Sequence, residues 1–153
     1  MADHDGHRRD LAAMLQPLAR ALITAELPVL ARHGISMWGY VVLNALDGSP
    51  VGTQGALAQA IGADKTRIIA ILDELQEAGL ISREPDPADR RARLLSITPA
   101  GRQVRLAVQA EIQANEDRLL SRLPAAERQA FLRAAATLSA LPPEEFTRTG
   151  PGR

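Results

Sequence analysis

The feature that most constrains this chain is a change of hydrophobic period near its middle. Ile68, Ile71, Leu72 and Leu75 recur at three- and four-residue intervals and, with Leu80 five residues on, make one apolar stripe along a helix. Gly79 ends that pattern, and residues 80–83 and 93–97 then read as two short extended segments. Between them Pro85, Asp86, Pro87 and Asp89 forbid a helix and force a loop, so the helix runs straight into a hairpin.

The residues before the helix complete a second motif. Residues 53–61 suit a short helix with Leu57, Ala58 and Ile61 inward, and Gly62 can take the left-handed conformation that ends it. Asp64 is a good N-cap for the next helix, which makes 62–64 the turn of a helix-turn-helix. Lys65, Thr66 and Arg67 then occupy the first turn of the second helix, where a helix entering a DNA major groove presents side chains to base edges and amides to phosphates. Thr53 and Gln54, at the start of the preceding helix, are further candidate DNA contacts. Arg83, Arg90, Arg91 and Arg93 crowd the hairpin, with Arg102 and Arg105 close by, and guanidinium groups suit a narrow minor groove and its phosphates. Asp86 and Asp89 are expected to orient the guanidinium of Arg91 or Arg93 through a bidentate pair. The fold expected is mainly α with a small β-hairpin wing: a winged helix-turn-helix with flanking N- and C-terminal dimerisation helices.

The run from Asp86 to Gly101, DPADRRARLLSITPAG, resembles the wing signature of MarR-type regulators. Gly34-Ile35-Ser36 before a helix, and residues 75–80 before the wing, sit where that family has them, so the resemblance covers most of the chain. It implies a dimer, a recognition helix in the major groove, and wing arginines matching Arg91 and Arg93 in or near the minor groove. One departure bears on specificity. Many relatives carry a polar pair such as Thr-Arg in the recognition helix, whereas this chain has Ile69-Ala70 with Arg67 two positions earlier.

The flanking helices bear on assembly. Leu11, Leu15, Leu18, Leu22 and Val29 follow helical spacing over 8–32, with Pro17 and Pro28 expected to kink or break the segment. Thr98 can cap a long helix with Pro99 at its first position, carrying Val104, Val108, Ile112, Leu119 and Leu120, and another helix opens at Pro124 with Phe131, Leu132, Leu138 and Leu141. Such helices have more apolar surface than a small winged core covers, and self-association would bury the excess. A two-fold dimer predicts an inverted-repeat operator with half-sites about ten base pairs apart, or a multiple. The division expected is 1–34 as an N-terminal dimerisation region, 35–100 as the DNA-binding domain, 101–141 as C-terminal dimerisation helices, and 142–153 as a flexible tail.

Composition removes other classes. The chain has 153 residues and is 46% hydrophobic, enough for one domain with helical extensions. Its formal net charge is +0, so any attraction to nucleic acid must come from local arginines. It has no cysteine, which excludes disulfides and thiolate metal sites. No apolar run suits a membrane span and residues 1–10 lack the core of a secretory signal, so a cytoplasmic protein without membrane contact is expected.

His33, Met37, Trp38 and Tyr40 cluster around the turn at 34–36 in a chain only 3% aromatic. They could line a pocket for a small aromatic or lipophilic effector, although ordinary packing between helices, with Trp38 and Tyr40 fixing the contact, is the reading these residues favour. His4 and His7 lie in a polar terminus without further ligands, and Asp73-Glu74 and Glu144-Glu145 read as solvated surface. No phosphate loop is present. The expectation is therefore no enzyme, no cofactor and no metal, but a sequence-specific double-stranded DNA-binding regulator, a repressor released by a small ligand. A winged-helix protein-interaction module is the other class these residues allow.

Overall fold

The computed structural model describes residues 8–48 and 52–147. In chain order they form α1 (Leu11–Arg32), α2 (Met37–Gly48), α3 (Gln54–Ile61), α4 (Lys65–Glu77), β1 (Ile81–Pro85), β2 (Arg93–Ile97), α5 (Pro99–Leu120), α6 (Ala125–Ser139) and α7 (Pro143–Thr147). The chain divides into two compact units, Met1–Gln113 and Ala114–Arg153, with the boundary inside α5.

The first unit is built on the stripe of α4. Ile68, Ile71, Leu72 and Leu75 are buried as that stripe requires, together with Leu43 of α2, Leu57 of α3, Leu95 of β2 and Val108 of α5. Leu80 is only partly buried because Gly79, at φ 73°, has already turned the chain out of the helix. Strand β1 starts one residue later than expected and runs on to Pro85, which pairs with Arg93. Proline is tolerated there by register. The Asp86 amide bonds the Ala92 carbonyl and the Thr98 amide bonds the Leu80 carbonyl, so Pro85 falls on an alternate, non-hydrogen-bonded pair that needs no donor.

Helix α5 is locked onto the root of the hairpin. Thr98 donates its hydroxyl to the Gly79 carbonyl at 2.7 Å and accepts the Gly101 amide at 3.0 Å. Gly101 lies so close to β1 that a Cβ there would sit 2.0 Å from the Leu80 carbonyl oxygen. The Thr-Pro-Ala-Gly sequence is thus a cap, a helix start and a site of backbone contact in one turn.

Helix α1 is continuous through Pro17 and Pro28, so of the kink or break expected from them the break does not occur. Each proline removes one amide donor, but Val29 and Leu30 pack into the core beyond the second and hold the last turn. The Ile35 amide then bonds the Leu30 carbonyl across Gly34, at φ 65°, which aims the chain into α2. Elsewhere α1 is apolar and uncovered: Leu11, Met14, Leu15, Ile23 and Leu27 are all exposed.

In the second unit α6 and α7 bury no residue, and Phe131, Leu132, Leu138, Leu141 and Phe146 are exposed. Residues 143–147, expected to fray, form a helical turn because Pro143 presets its first position and Glu144 and Glu145 face the positive end of its dipole. His4 and His7 lie outside the described residues. Among those residues no helix is long and apolar enough to cross a membrane.

Candidate nucleic-acid interface

The local chemistry of the α3–α4 turn sets the start of α4, the helix expected to read DNA. Thr53 caps α3 by accepting the Ala56 amide at 3.0 Å, Gly62 ends it at φ 70°, and Asp64 caps α4 by accepting the Arg67 amide at 2.8 Å. With one face of α4 buried, Thr66, Ala70 and Asp73 stand on the opposite face and are exposed. Lys65 and Arg67 flank them in the first turn, also exposed. Ile69 is 49% exposed on the same outer half, an apolar side chain with no core to enter. Neither Ile69 nor Ala70 is among the candidate contacts read from sequence, and neither fits the buried stripe. Thr53 directs its hydroxyl into capping, and Gln54 is half-buried.

The hairpin tip separates acids from bases in a way the sequence did not suggest. Asp86 accepts the Ala88 amide at 2.8 Å and Asp89 accepts the Arg91 amide at 3.0 Å, so both carboxylates fold the loop instead of orienting guanidiniums. Arg90, Arg91 and Arg93 are exposed, and among the described residues their guanidiniums have no carboxylate partner. The Ser82 and Ser96 hydroxyls bond each other at 2.6 Å across the paired strands.

Three other arginines expected near the wing are already engaged. Arg83 is bound to Asp73 of α4 at 2.6 Å with its side chain only 16% exposed, which ties β1 to the reading helix and makes it a poor candidate for DNA contact. Arg102 and Arg105 both pair with Asp47 of α2, at 3.0 and 2.7 Å. The positive tip therefore consists of Arg90, Arg91 and Arg93, with Lys65 and Arg67 on the helix.

Of the four residues suggested for an effector pocket, three join the core cluster and one faces α5. Tyr40 is 9% exposed in the core, with Met37 and Trp38 packed at its margin. His33 bonds Glu111 of α5 at 2.9 Å, beside an Arg32–Glu111 pair at 2.6 Å. The hydrogen bond from Arg32, then that from His33, holds the Glu111 carboxyl below its ordinary value. Trp38 faces the guanidinium of Arg67, whose central carbon lies 5.5 Å from the ring centroid. Among the described residues no cluster of three or more histidines or acids could hold a metal ion.

Comparison with known proteins bears on this geometry. The family profile "MarR family" matches residues 33–92, from the end of α1 to the hairpin tip. A relative from Thauera aromatica, described as a transcriptional regulatory protein for the hcr operon, is 31% identical over 121 residues, 79% of this chain and 69% of its own. The transcriptional repressor CouR bound to a 23-mer DNA duplex is 29% identical with a TM-score of 0.70, over 85% of this chain and 92% of that one. CouR from Rhodococcus jostii RHA1 bound to p-coumaroyl-CoA is 26% identical with a TM-score of 0.69, over 88% of this chain and 94% of that one.

Proposed function

This chain belongs to the MarR family of transcription regulators, and from that premise we propose that it represses transcription by gripping double-stranded DNA as a homodimer. The observation that carries the reading is that among the described residues Arg90, Arg91 and Arg93 have no carboxylate partner, at a tip whose own aspartates are bound to backbone amides. A guanidinium without a carboxylate keeps its donors and charge for phosphate. Arg91 and Arg93 hold the wing to the minor groove side, while Lys65, Thr66 and Arg67 with Ile69 and Ala70 face the major groove. The repressor CouR, similar over most of this chain, is bound to duplex DNA in its structure, which supports this arrangement.

The exposed leucines and Ile23 of α1 are one apolar surface, and the exposed apolar residues of α6 another, that a second copy would cover. The complex of CouR with p-coumaroyl-CoA, a ligand with an aromatic group, supports release by a lipophilic or aromatic ligand, with His33, Met37, Trp38 and Tyr40 as the residues that answer to it. Such a ligand acts only by preferring a dimer whose reading helices are wrongly spaced. The activity is regulatory and not catalytic, exercised on the chromosome in the cytoplasm. Footprinting on the DNA flanking the protein's own gene tests the reading: two protected half-sites, related by inversion and centred about ten base pairs apart or a multiple, are expected. A single unsymmetrical footprint, or none on any duplex, contradicts it.

A further inference from the structure

The arginines of the first unit fall into distinct chemical states. Arg32, Arg83, Arg102 and Arg105 close ion pairs with carboxylates. Arg67 is held in another way, with its guanidinium over the Trp38 ring at 5.5 Å, and among the described residues no carboxylate accepts from it. The difference has a chemical consequence. A carboxylate binds the N–H donors and cancels the charge, whereas an aromatic face attracts the cation through its quadrupole and leaves the in-plane donors unbound.

Arg67 is also anchored at its backbone, since its amide donates to Asp64 at 2.8 Å. Trp38 comes from α2 and packs against the core, so the ring is a fixed platform and not a second mobile side chain. An arginine stem loses much rotamer freedom when it binds, and a platform that restrains it beforehand lowers that cost. Arg67 is therefore restrained and charged at the entrance of α4, and among the described residues no carboxylate takes up its donors.

We propose that Trp38 is a positioning residue for DNA recognition, its indole face holding the Arg67 guanidinium ready for acceptor oxygens of the duplex. The inference rests on the DNA-binding reading above and adds to it a residue that never touches DNA. A duplex recovered by selection from a randomised library serves as the probe, with affinity read by fluorescence anisotropy for Trp38→Leu, Arg67→Ala and the double variant. Trp38→Leu is expected to weaken binding about two- to fivefold, the range of an exposed cation–π contact. It should cost nothing further once Arg67 is alanine, and Trp38→Phe should recover most of the loss.

An equal cost of Trp38→Leu in both backgrounds overturns the proposal, as does a Trp38→Phe variant no better than Trp38→Leu. Should Trp38→Leu fold poorly, the emission of Trp38, the chain's one tryptophan, decides in the free protein. Arg67→Ala must shift that emission without lowering the unfolding temperature, and unchanged emission overturns the contact. The two acceptor sources are separated by the pattern of loss in Arg67→Ala: uniform weakening across sequences assigns a phosphate, relaxed preference at one base pair assigns a guanine edge. If the wild-type chain selects no duplex, the DNA reading fails and takes this one with it. Tight selective binding with no coupling between the two residues sinks this one alone.

Discussion

Gly101→Ala sets two physical effects of opposite sign against each other. Gly101 is the third residue of α5, and in a helix alanine is favoured over glycine by about 1 kcal/mol, so propensity alone predicts a more stable protein. Packing predicts the reverse. The new Cβ would lie 2.0 Å from the Leu80 carbonyl oxygen and 2.9 Å from its carbon, inside the 3.0 Å that such contacts essentially never cross. The blocking group is backbone, so relief requires α5 to move away from β1, and the cost belongs at the upper end of overpacking, about 3 kcal/mol. The net loss is then about 2 kcal/mol, or roughly 4–8 °C in unfolding temperature for a chain of this size. Gly55→Ala in α3 is the paired control, because a Cβ there meets nothing within 4 Å and the backbone is not left-handed. It should gain about 0.5–1 kcal/mol. Calorimetry on both variants decides: a Gly101→Ala protein as stable as Gly55→Ala refutes the claim that the hairpin root is clamped to α5.

Two further outcomes are expected. The Glu111 carboxyl is held low, so the folded state takes its proton less readily than the unfolded chain; the stability it contributes is full above about pH 4.5 and lost as pH falls through its lowered value. Glu116 is the opposite case, raised by burial and by Asp117, so Glu116→Gln should raise the unfolding temperature at neutral pH while Glu111→Gln lowers it and blunts acid sensitivity; melting curves from pH 7 to pH 3.5 check both signs. Ile69, exposed on the outer half of α4, is expected to meet a thymine methyl. Replacing thymine by deoxyuridine at the affected position should weaken wild-type binding about fourfold, near 0.8 kcal/mol for one buried methyl, and leave Ile69→Ala unaffected. Equal losses in both proteins argue against that contact.

Much of the winged core is legible from residue order because its signals are local. The stripe Ile68–Leu75, the left-handed Gly62 and the Asp64 cap each act within one or two turns, and all three take the predicted form. Strand β2 likewise occupies 93–97 as its alternation requires. The charged surface is less legible because its pairing is set by contacts distant in sequence. Arg83 meets Asp73 across the α4–β1 junction, and Asp47 collects both Arg102 and Arg105 from α5. An arginine count around the hairpin therefore overstates the charge available to a polyanion. The aspartates at the tip mislead in the opposite sense, since they satisfy loop amides and not the guanidiniums of the neighbouring arginines. The Trp38–Arg67 contact joins residues from α2 and α4 with no periodic signature to announce it.

The salt dependence of duplex binding tests the central claim most directly, that unpaired wing arginines hold this protein on DNA. Log affinity against log salt should fall with a slope near −0.9 per phosphate neutralised, and Arg90→Ala, Arg91→Ala and Arg93→Ala should each flatten it by about one unit. Arg83→Ala, whose guanidinium is already neutralised by Asp73, should leave the slope as it was. A slope that ignores the three tip arginines, or that follows Arg83 alone, contradicts the account.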